Sequence, residues 1–569
     1  MHRVDLVVVA AYMLLLLGVG VRFRRGQTTT GSYFVANRSI PGWAAGISLV
    51  ATIITSVTFI AYPGAAYAGN WNLLVPGIVL VLVLAAVGPF IVPFFRHVVS
   101  MSAYEYFGKR FGPGVRMYAS FAFAAGHFAK MGFVFYLLAL ALAGVAGLPI
   151  APVLMALGAV AISYTFIGGL RAVIWTDVVQ GFLLGVGVAV TLAFLLFSSH
   201  VSAAAMLHLI AAQHKMSLGS LRFNLAQPTI WTLALYGFFF YLQKYTADQT
   251  VVQRYLAART DGEALRGAFL GGVLCLPVWT SFMLIGSLLW AYYGLSGLAL
   301  PATLTRADQV FPWFIVTALP GGAGGLILAA LCGAAMSMLA SDLNCLALVL
   351  TEDFYAHFFP RHTDAQRLRF GKTAVVLCGM LAIAVALALT HTHGLALALY
   401  YTATAIVAGG LAGLFLLAFL APRAGTAAAV AGIVANLVFT AYASLTLNSG
   451  TMLNLGRFNY PWHEYTIGAI GNLLLLGVGL AAAFLLPAGA DPAPAHTFWD
   501  WLQSRRSRLS AIHLEKLHEP SSASRRSKRR QNPAGRRGLF LRPALPRNLR
   551  TPRIPGHLDR DGARPYHLP

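Results

Sequence analysis

The sequence predicts an all-α protein that crosses a membrane many times. Of its 569 residues, 58% are hydrophobic and only 10% are charged, and the mean hydropathy is +0.70. Apolar runs recur along the whole chain up to its last 80 or so residues, and most reach the roughly 20 residues that a helix needs to cross a bilayer. Lys and Arg are concentrated in alternate loops, as the positive-inside rule requires of a polytopic protein. These observations exclude a soluble globular protein.

The apolar runs predict about thirteen transmembrane helices. Their approximate limits are 4–23, 43–69, 74–98, 114–145, 150–168, 172–199, 229–258, 263–294, 318–350, 370–391, 394–421, 424–447 and 464–487. The first run has no A-x-A cleavage site, and its positive charges follow it rather than precede it, opposite to a signal peptide. We expect it to be retained as a span with the N-terminus outside.

The loop charges set the predicted orientation. With the N-terminus outside, about seventeen Lys and Arg residues fall on the inner side, Arg171 and Arg254 among them, and only Lys215, Arg222, Arg306 and Arg457 lie in outer loops. This excess predicts a multi-pass protein of the cell inner (plasma) membrane. An odd number of spans then places the C-terminus in the cytoplasm.

Two predicted spans are interrupted by polar residues. In the span that begins at Trp43, hydroxyl side chains interrupt the middle and Pro63 follows. Proline removes a backbone donor and disrupts the preceding turn. The span over 229–258 contains a polar run from Gln243 to Gln249. Broken helices of this kind build the central sites of many secondary transporters. The two lie five spans apart and run in opposite directions, which predicts two inverted five-helix repeats.

The chain divides into four predicted parts. Residues 1–42 hold the first helix and an inner loop, 43–421 the inverted-repeat transport core, and 422–488 additional helices. Residues 489–569 form a mostly disordered basic tail with 17 of the 41 Lys and Arg residues. The high positive charge is therefore largely a tail property. It points to anionic lipid at the bilayer surface, or to simple solvation, and not to nucleic acid.

Two shorter patterns predict helices at the membrane surface. The inner loop SAYEYFGKRFGPGVR predicts an interfacial helix capped by Ser102 and ended by Gly112 and Pro113. Residues 496–519 predict an amphipathic helix on the inner leaflet.

The four cysteines lie in apolar runs without metal-ligand spacing, and no H-E-x-x-H, G-x-S-x-G or Walker motif occurs. The sequence thus predicts no enzyme.

Several stretches together resemble the solute:sodium symporter family, which includes sugar, proline, vitamin and sialic-acid carriers. They occur in the family's order and are YFVANRSIPGW, SAYEYFGKRFG, YTFIGGLRAVIWTDVVQ, DQTVVQRYLAAR and SMLASDLNCLALVLTEDFY. GHFAK at 126–130 and YTADQTVVQRYL at 245–256 look closest to the sialic-acid branch. The resemblance implies a LeuT-type five-plus-five inverted repeat and coupled uptake of a solute with Na+ by alternating access.

The resemblance also implies a sodium site between the first broken helix and the span five helices later. Carried over by motif, its backbone oxygens belong to Ala51, Ile54 and Ala334, and Ser337 supplies a hydroxyl. Oxygen ligands suit a hard cation. Position 338, where relatives carry a second hydroxyl, is Met338 here. A thioether is a poor sodium ligand, so we expect weak sodium binding.

Asp177 is a further candidate for the cation path. A carboxylate inside a membrane segment costs about 2.5–3.5 kcal/mol on insertion scales, which favours a functional role. In the sialic-acid branch, the resemblance places it beside a second sodium, with Ser337 and Ser341. The alternative is an interfacial carboxylate that pairs with Arg171 or caps a helix.

Lys130 and Lys244 are the other charges near mid-span, and they predict an anionic solute. Lys130 matches a substrate-binding arginine of the sialic-acid branch, and Lys244 lies where relatives place an aromatic gate. Asp248 can pair with only one of them, which leaves the other for the solute; alternatively, one pairs with Asp177 or Asp248 and the other snorkels. Thr58 and Tyr245 are substrate and gate candidates by resemblance, although both residue types more often serve in packing.

The predicted function is therefore a sodium-coupled symporter that imports a small polar solute. The solute is expected to be anionic, such as sialic acid, a sugar acid or another carboxylate. A symporter of a neutral sugar is the first alternative. A transporter-like membrane sensor is the second, although the tail is too short and too polar for a kinase domain.

Overall fold

The computed structural model describes residues 3–146, 148–198, 200–302, 304–391, 409–450, 452–486 and 496–504. Within these residues the regular structure is helical, and strand-like pairing is limited to one isolated bridge between Ile40 and Ala258. The helices are α1 (Arg3–Arg22), α2 (Thr30–Val35), α3 (Gly42–Ile53), α4 (Ser56–Ala68), α5 (Leu74–Val98), α6 (Glu105–Phe111), α7 (Pro113–Ala146), α8 (Ile150–Ala193), α9 (Ala203–Ala212), α10 (Ile230–Thr246), α11 (Gln249–Ala257), α12 (Asp261–Ser296), α13 (Val310–Thr317), α14 (Ala323–Val349), α15 (Ala356–Phe358), α16 (Asp364–His391), α17 (Leu411–Leu420), α18 (Thr426–Gly450) and α19 (Tyr465–Leu485).

The predicted number of thirteen spans is not confirmed. In the described residues, eight helices are individually long and apolar enough to cross a membrane, and nine if α3 and α4 count as one bent span. The predicted span 394–421 lies mostly outside the described residues, which include only α17 of it. The predicted spans 150–168 and 172–199 correspond to the two parts of α8, which meet at a kink at Gly169.

The kink in α8 depends on Gly169. Gly169 has φ 55° and ψ −158°, which is not helical. A Cβ at this position would lie 2.7 Å from the carbonyl oxygen of Tyr33, so both the conformation and the close approach require glycine. At 1.5 Å per residue, the 44 residues of α8 would extend about 66 Å, roughly twice the hydrocarbon thickness. The bend therefore divides α8 into two lengths, each able to cross the bilayer.

The first predicted broken helix is confirmed. α3 ends at Ile53 and α4 begins at Ser56, and the two helices are bent by 57°. The Thr55 N–H would bond to the Ala51 carbonyl in a continuous helix; here it faces the Thr58 hydroxyl at 3.4 Å. Pro63 does not break the helix and lies inside α4.

The second predicted broken helix is also confirmed. α10 ends at Thr246, and α11 begins at Gln249. Asp248 lies in the break and accepts the Thr250 N–H at 2.9 Å, which caps α11. The two broken helices lie five predicted spans apart, as expected if each is the first helix of a five-helix repeat.

Helix α14 occupies the centre of the protein. Every residue from Ile327 to Val349 is buried, although an amphipathic helix would expose one face. It packs against α8, α1, α7 and α3. The buried polar residues of α14 therefore find their partners within α14 or on the helices packed against it, α11 among them.

The inner-loop helix forms as predicted, although its capping differs in detail. α6 spans Glu105–Phe111 and ends at Gly112, whose φ is 88°. The Glu105 carboxylate accepts the Ser102 N–H, and the Ser102 hydroxyl donates to Asp353 at 2.7 Å. Ser102 thus ties the inner loop to the segment that follows α14.

Only the first residues of the predicted tail helix lie in the described part of the chain. Residues 498–504 are helical. The Phe498 and Trp501 rings contact Phe90 of α5, and the Trp499 indole donates to the Leu420 carbonyl at 3.0 Å. This segment therefore packs on the helical core. The predicted amphipathic helix beyond it and the tail over 505–569 lie outside the described residues.

Candidate functional site

A fully buried polar cluster surrounds Asp177 on α8. Its carboxylate accepts hydrogen bonds from the Ser48 hydroxyl at 2.5 Å and the Ser337 hydroxyl at 2.6 Å. The Ser341 hydroxyl donates to the Ser337 carbonyl at 2.7 Å. Three of the six predicted sodium residues, Asp177, Ser337 and Ser341, thus lie together, at a junction of α3, α8 and α14.

The partner of Asp177 is Arg254 of α11, not Arg171. An Arg254 nitrogen lies 3.0 Å from the Asp177 carboxylate, and both side chains are fully buried. Arg254 also donates to the hydroxyls of Ser48 and Ser341. Arg171 instead donates to the Ser39 hydroxyl at 2.5 Å. Arg254 is therefore part of the buried cluster and not a loop charge, which corrects both expectations.

The backbone part of the predicted sodium site lies at the break between α3 and α4. Ala51 and Ile54 are both buried there, and the backbone of Ile54 is extended at φ −88° and ψ 105°. The break leaves the Ala51 carbonyl without its helical donor. Ala334 is buried on α14, one helical turn before Ser337, and Met338 is buried as well. Met338 therefore contributes an apolar surface where a hydroxyl was expected by resemblance.

A cavity of about 400 Å³ lies beside the break in the first broken helix. Thr52, Thr55 and Thr58 line one wall, and Lys130 and Lys244 line it elsewhere. The aromatic side chains of the wall are Tyr62, Tyr236, Phe240, Tyr241, Trp279 and Tyr465. Such a mainly apolar cavity with a few convergent polar groups is typical of a small-molecule site.

The four predicted substrate residues fall into two groups. Thr58, Lys130 and Lys244 line the cavity. Tyr245 is buried and does not line it, and the Tyr245 carbonyl accepts the Tyr255 hydroxyl at 3.1 Å. Within the described residues, the structure therefore gives Tyr245 a place in the packed core, and Phe240 is the aromatic residue of α10 that stands beside Lys244.

Lys130 has a carboxylate partner that the sequence analysis overlooked. Its ammonium lies 3.1 Å from both oxygens of Asp342 on α14. Lys244 pairs with Asp248. This pairing is one of the alternatives that the sequence analysis gave to a role in solute binding. The expectation that one lysine lacks a protein partner is therefore wrong, because Asp342 supplies a second carboxylate.

His127 of α7 connects these two ion pairs. Its Nδ1 lies 2.8 Å from Oδ1 of Asp342, and its Nε2 lies 3.4 Å from Oδ2 of Asp248. A second cavity of about 140 Å³ contacts His127, Lys130, Lys244 and Asp248. We refer to these four residues and Asp342 as the charged network.

Two of the overlooked residues carried a signal in the sequence. Asp342 is a carboxylate inside an apolar run of more than 30 residues, and the membrane cost that singled out Asp177 applies to it equally. Arg254 lies within the predicted span 229–258 and should have been counted as an intramembrane charge. His127 carried no such signal, because a single histidine in a helix is most often a packing residue.

Comparison with known proteins identifies the family. The sequence model of the Sodium:solute symporter family matches residues 33–435. The Sodium/sialic acid symporter NanT of Aliivibrio fischeri is 32% identical over 484 residues, which cover 83% of this chain and 91% of NanT. The Sodium/sialic acid symporter SiaT of Proteus mirabilis is 30% identical, over 85% of this chain and 96% of SiaT.

A solved structure of a Na+-coupled sialic acid symporter, in a substrate-bound outward-open state, has the same fold. It superimposes with a TM-score of 0.78 at 30% identity, and the match covers 86% of this chain and 99% of that chain. The predicted resemblance, including the branch to which the motifs looked closest, is confirmed. The chain therefore belongs to the Sodium:solute symporter family, and it is a sodium-coupled multi-pass membrane transporter of the LeuT-type fold rather than an enzyme.

Proposed function

We propose that this symporter imports a small anionic solute of the sialic acid class. The observation that carries the proposal is the Lys130 ammonium on the wall of the cavity, where the lysine side chain is one-third exposed. An ammonium has three donors. Asp342 takes part of this capacity, and the exposed part faces the space that a solute carboxylate would enter.

The surroundings of Lys130 favour a carboxylate over a neutral hydroxyl. In a cavity with mainly apolar walls, a charged hydrogen bond is stronger than a neutral one. Lysine acts there as a point charge, less directional than the bidentate arginine that the resemblance places in relatives. Thr52, Thr55 and Thr58 would meet the hydroxyl and amide groups of the solute. The names of NanT and SiaT point to the same class of solute.

We propose that Na+ binds at two neighbouring sites along one face of α14. One site uses the carbonyls of Ala51, Ile54 and Ala334 with the Ser337 hydroxyl. The other lies at Asp177, with Ser337 and Ser341. A hydroxyl that donates its proton to a carboxylate or a carbonyl keeps lone pairs for a cation, so the bonds of both serines are compatible with sodium. Arg254 already balances the charge of Asp177, which limits the strength of the second site.

We further propose how the chain is divided into parts and how it is oriented in the membrane. Residues 43–421 form the transport core, residues 1–42 and 422–488 supply additional helices, and residues 489–569 form the basic tail. The protein lies in the cell inner (plasma) membrane with its N-terminus outside and its C-terminus in the cytoplasm, because the loop charges favour that orientation. Basic residues of the tail contact anionic lipid.

Uptake by the purified full-length chain in sealed vesicles tests this function. We expect radiolabelled sialic acid to accumulate when an inward sodium gradient is imposed, and not with potassium in its place. Other sugar acids and carboxylates should compete, and neutral hexoses should not. Strong competition by hexoses alone would favour the neutral-sugar alternative, for which Thr58 is the supporting residue. Solute binding without net uptake would favour the sensor.

A further inference from the structure

The charged network contains one group that neither the solute nor the sodium sites account for. His127 is nine-tenths buried, with a side-chain exposure of 10%. Both of its ring nitrogens face carboxylates, Asp342 at 2.8 Å and Asp248 at 3.4 Å. A carboxylate only accepts hydrogen bonds, whereas a neutral imidazole has one donor and one acceptor nitrogen. A neutral ring would therefore point a lone pair at a carboxylate, and an imidazolium would satisfy both.

The charge balance of the network depends on this ring alone. The two ammoniums of Lys130 and Lys244 balance the two carboxylates of Asp248 and Asp342. The network is therefore neutral with a neutral imidazole and carries a charge of +1 with an imidazolium. An unbalanced charge is costly away from water, and an anion in the adjoining cavity would compensate it. Lys130 and Lys244 line both cavities and connect the ring to that anion.

Other titratable groups near His127 do not alter this balance. Tyr104, whose ring packs at a tilt against Phe123 beside the histidine, donates its hydroxyl hydrogen to the Ala247 carbonyl at 2.9 Å. The Cys345 thiol on α14 donates to Gln253 at 2.9 Å. Phe123 covers one face of the imidazole, with ring centroids 4.0 Å apart. In the described part of the chain, Asp248 and Asp342 are the two carboxylates that form ion pairs with His127.

We propose that His127 is a proton-binding site whose occupancy is coupled to binding of the anionic solute. The imidazolium bridges Asp342 of α14 to Asp248 in the break between α10 and α11, and the solute anion offsets its charge. Binding of either the proton or the anion therefore strengthens binding of the other, by the same factor in both directions. The smaller cavity contacts the His127 ring. This inference rests on the proposed anionic solute and adds a proton to the sodium-coupled step.

Calorimetry of sialic acid binding to the full-length protein in detergent, at saturating sodium, tests the coupling. Titrations between about pH 5 and about pH 8.5 cover the range in which histidine changes charge. Paired buffers with different ionisation heats report the protons taken up per solute. We expect uptake to approach one proton at the alkaline end, where the dissociation constant rises by up to about tenfold per pH unit. His127→Gln should abolish both effects.

His97→Gln is the matched control, because that histidine also faces a carboxylate, Asp261 at 3.6 Å, but is half-exposed and lies outside the network. It should behave as the parent protein. Sialic acid binding whose affinity is flat with pH, or proton uptake that persists in His127→Gln, would overturn the inference and leave the anionic function intact. No binding of sialic acid or of other carboxylates at any pH would overturn both.

Discussion

The Arg254 guanidinium lies 3.0 Å from the Asp177 carboxylate, and the two side chains are completely buried where α11, α8 and α14 meet. This pair joins α11, the second part of the second broken helix, to α8, and Arg254 also donates to the Ser341 hydroxyl on α14. Arg254 thereby provides a direct physical link between the break that holds Asp248 and the proposed second sodium site.

Removing one member of this pair should be far more damaging than removing both. Arg254→Gln leaves a buried carboxylate without its countercharge, which costs about 3–5 kcal/mol. The double variant Arg254→Gln with Asp177→Asn should recover much of that loss and still lack normal sodium dependence. Thermal unfolding in detergent measures the stability. Arg306→Gln serves as the control, because Arg306 is itself largely exposed in its pair with Asp308, and exposed ion pairs contribute at most about 1 kcal/mol. Equal stability of the single and double Arg254 variants would contradict this account.

Sodium coupling should be weak, and Met338→Ser should strengthen it. The substitution restores a hydroxyl beside Ser337 on α14, so the half-saturating sodium concentration for uptake should fall. Met336→Ser is the matched control, since Met336 is buried on the same helix but lies off the face shared by Ala334, Ser337 and Ser341. Uptake driven equally well by a proton gradient in sodium-free buffer would refute sodium coupling.

Lys130→Gln should weaken solute binding and leave sodium binding nearly unchanged. Loss of a charged hydrogen bond costs about 1.5–3 kcal/mol, which corresponds to a rise of roughly 10- to 150-fold in the half-saturating solute concentration. Lys130→Arg should retain much of the function. The double variant Lys130→Gln with Asp342→Asn distinguishes two causes of weaker solute binding, the loss of a contact between Lys130 and the solute and the loss of the countercharge of Asp342. If the second substitution restores solute affinity, that result would argue against a direct contact between Lys130 and the solute.

Lys244→Gln should act on turnover more than on solute affinity. Lys244 pairs with Asp248 within the break between α10 and α11, so its loss alters the element that must move during transport. We expect a lower maximal rate with a smaller change in the half-saturating solute concentration than Lys130→Gln produces. Kinetics of uptake in vesicles resolve the two parameters. The reverse pattern would assign the main solute contact to Lys244.

The far part of the tail should be dispensable for transport, whereas its first residues should contribute to the stability of the fold. A chain truncated after about Pro520 should insert and transport normally. Truncation after Leu486 also removes Phe498 and Trp501, which contact Phe90 and Phe94. Aromatic pairs contribute about 0.5–1.5 kcal/mol each, so the shorter chain should unfold at a lower temperature. Loss of uptake by the Pro520 truncation, with normal insertion, would show a transport role for the tail.

The prediction of broken helices succeeded because the cause of each break is local. Thr55 in the first broken span and Asp248 in the second are polar residues inside apolar runs. A helix can break at membrane depth only where protein or a water-filled cavity surrounds it, so such residues indicate a break in the interior of the protein. The number of spans is not confirmed, but the kink at Gly169 falls between the predicted spans 150–168 and 172–199. The close approach of Gly169 to the Tyr33 carbonyl, more than 130 residues away in the sequence, is a tertiary contact that the apolar run does not show.

By itself, the sequence determined the membrane-spanning class, the two helix breaks and the family, because composition, hydrophobic run length and ordered motifs are properties of the chain alone. Only the tertiary structure decided which buried charges pair. Arg254 meets Asp177, and Lys130 meets Asp342, across 77 and 212 residues of sequence. A buried charge takes its partner from whichever helix packs beside it. That choice follows from helix packing, which no local pattern encodes, and it is also what placed His127 between two carboxylates.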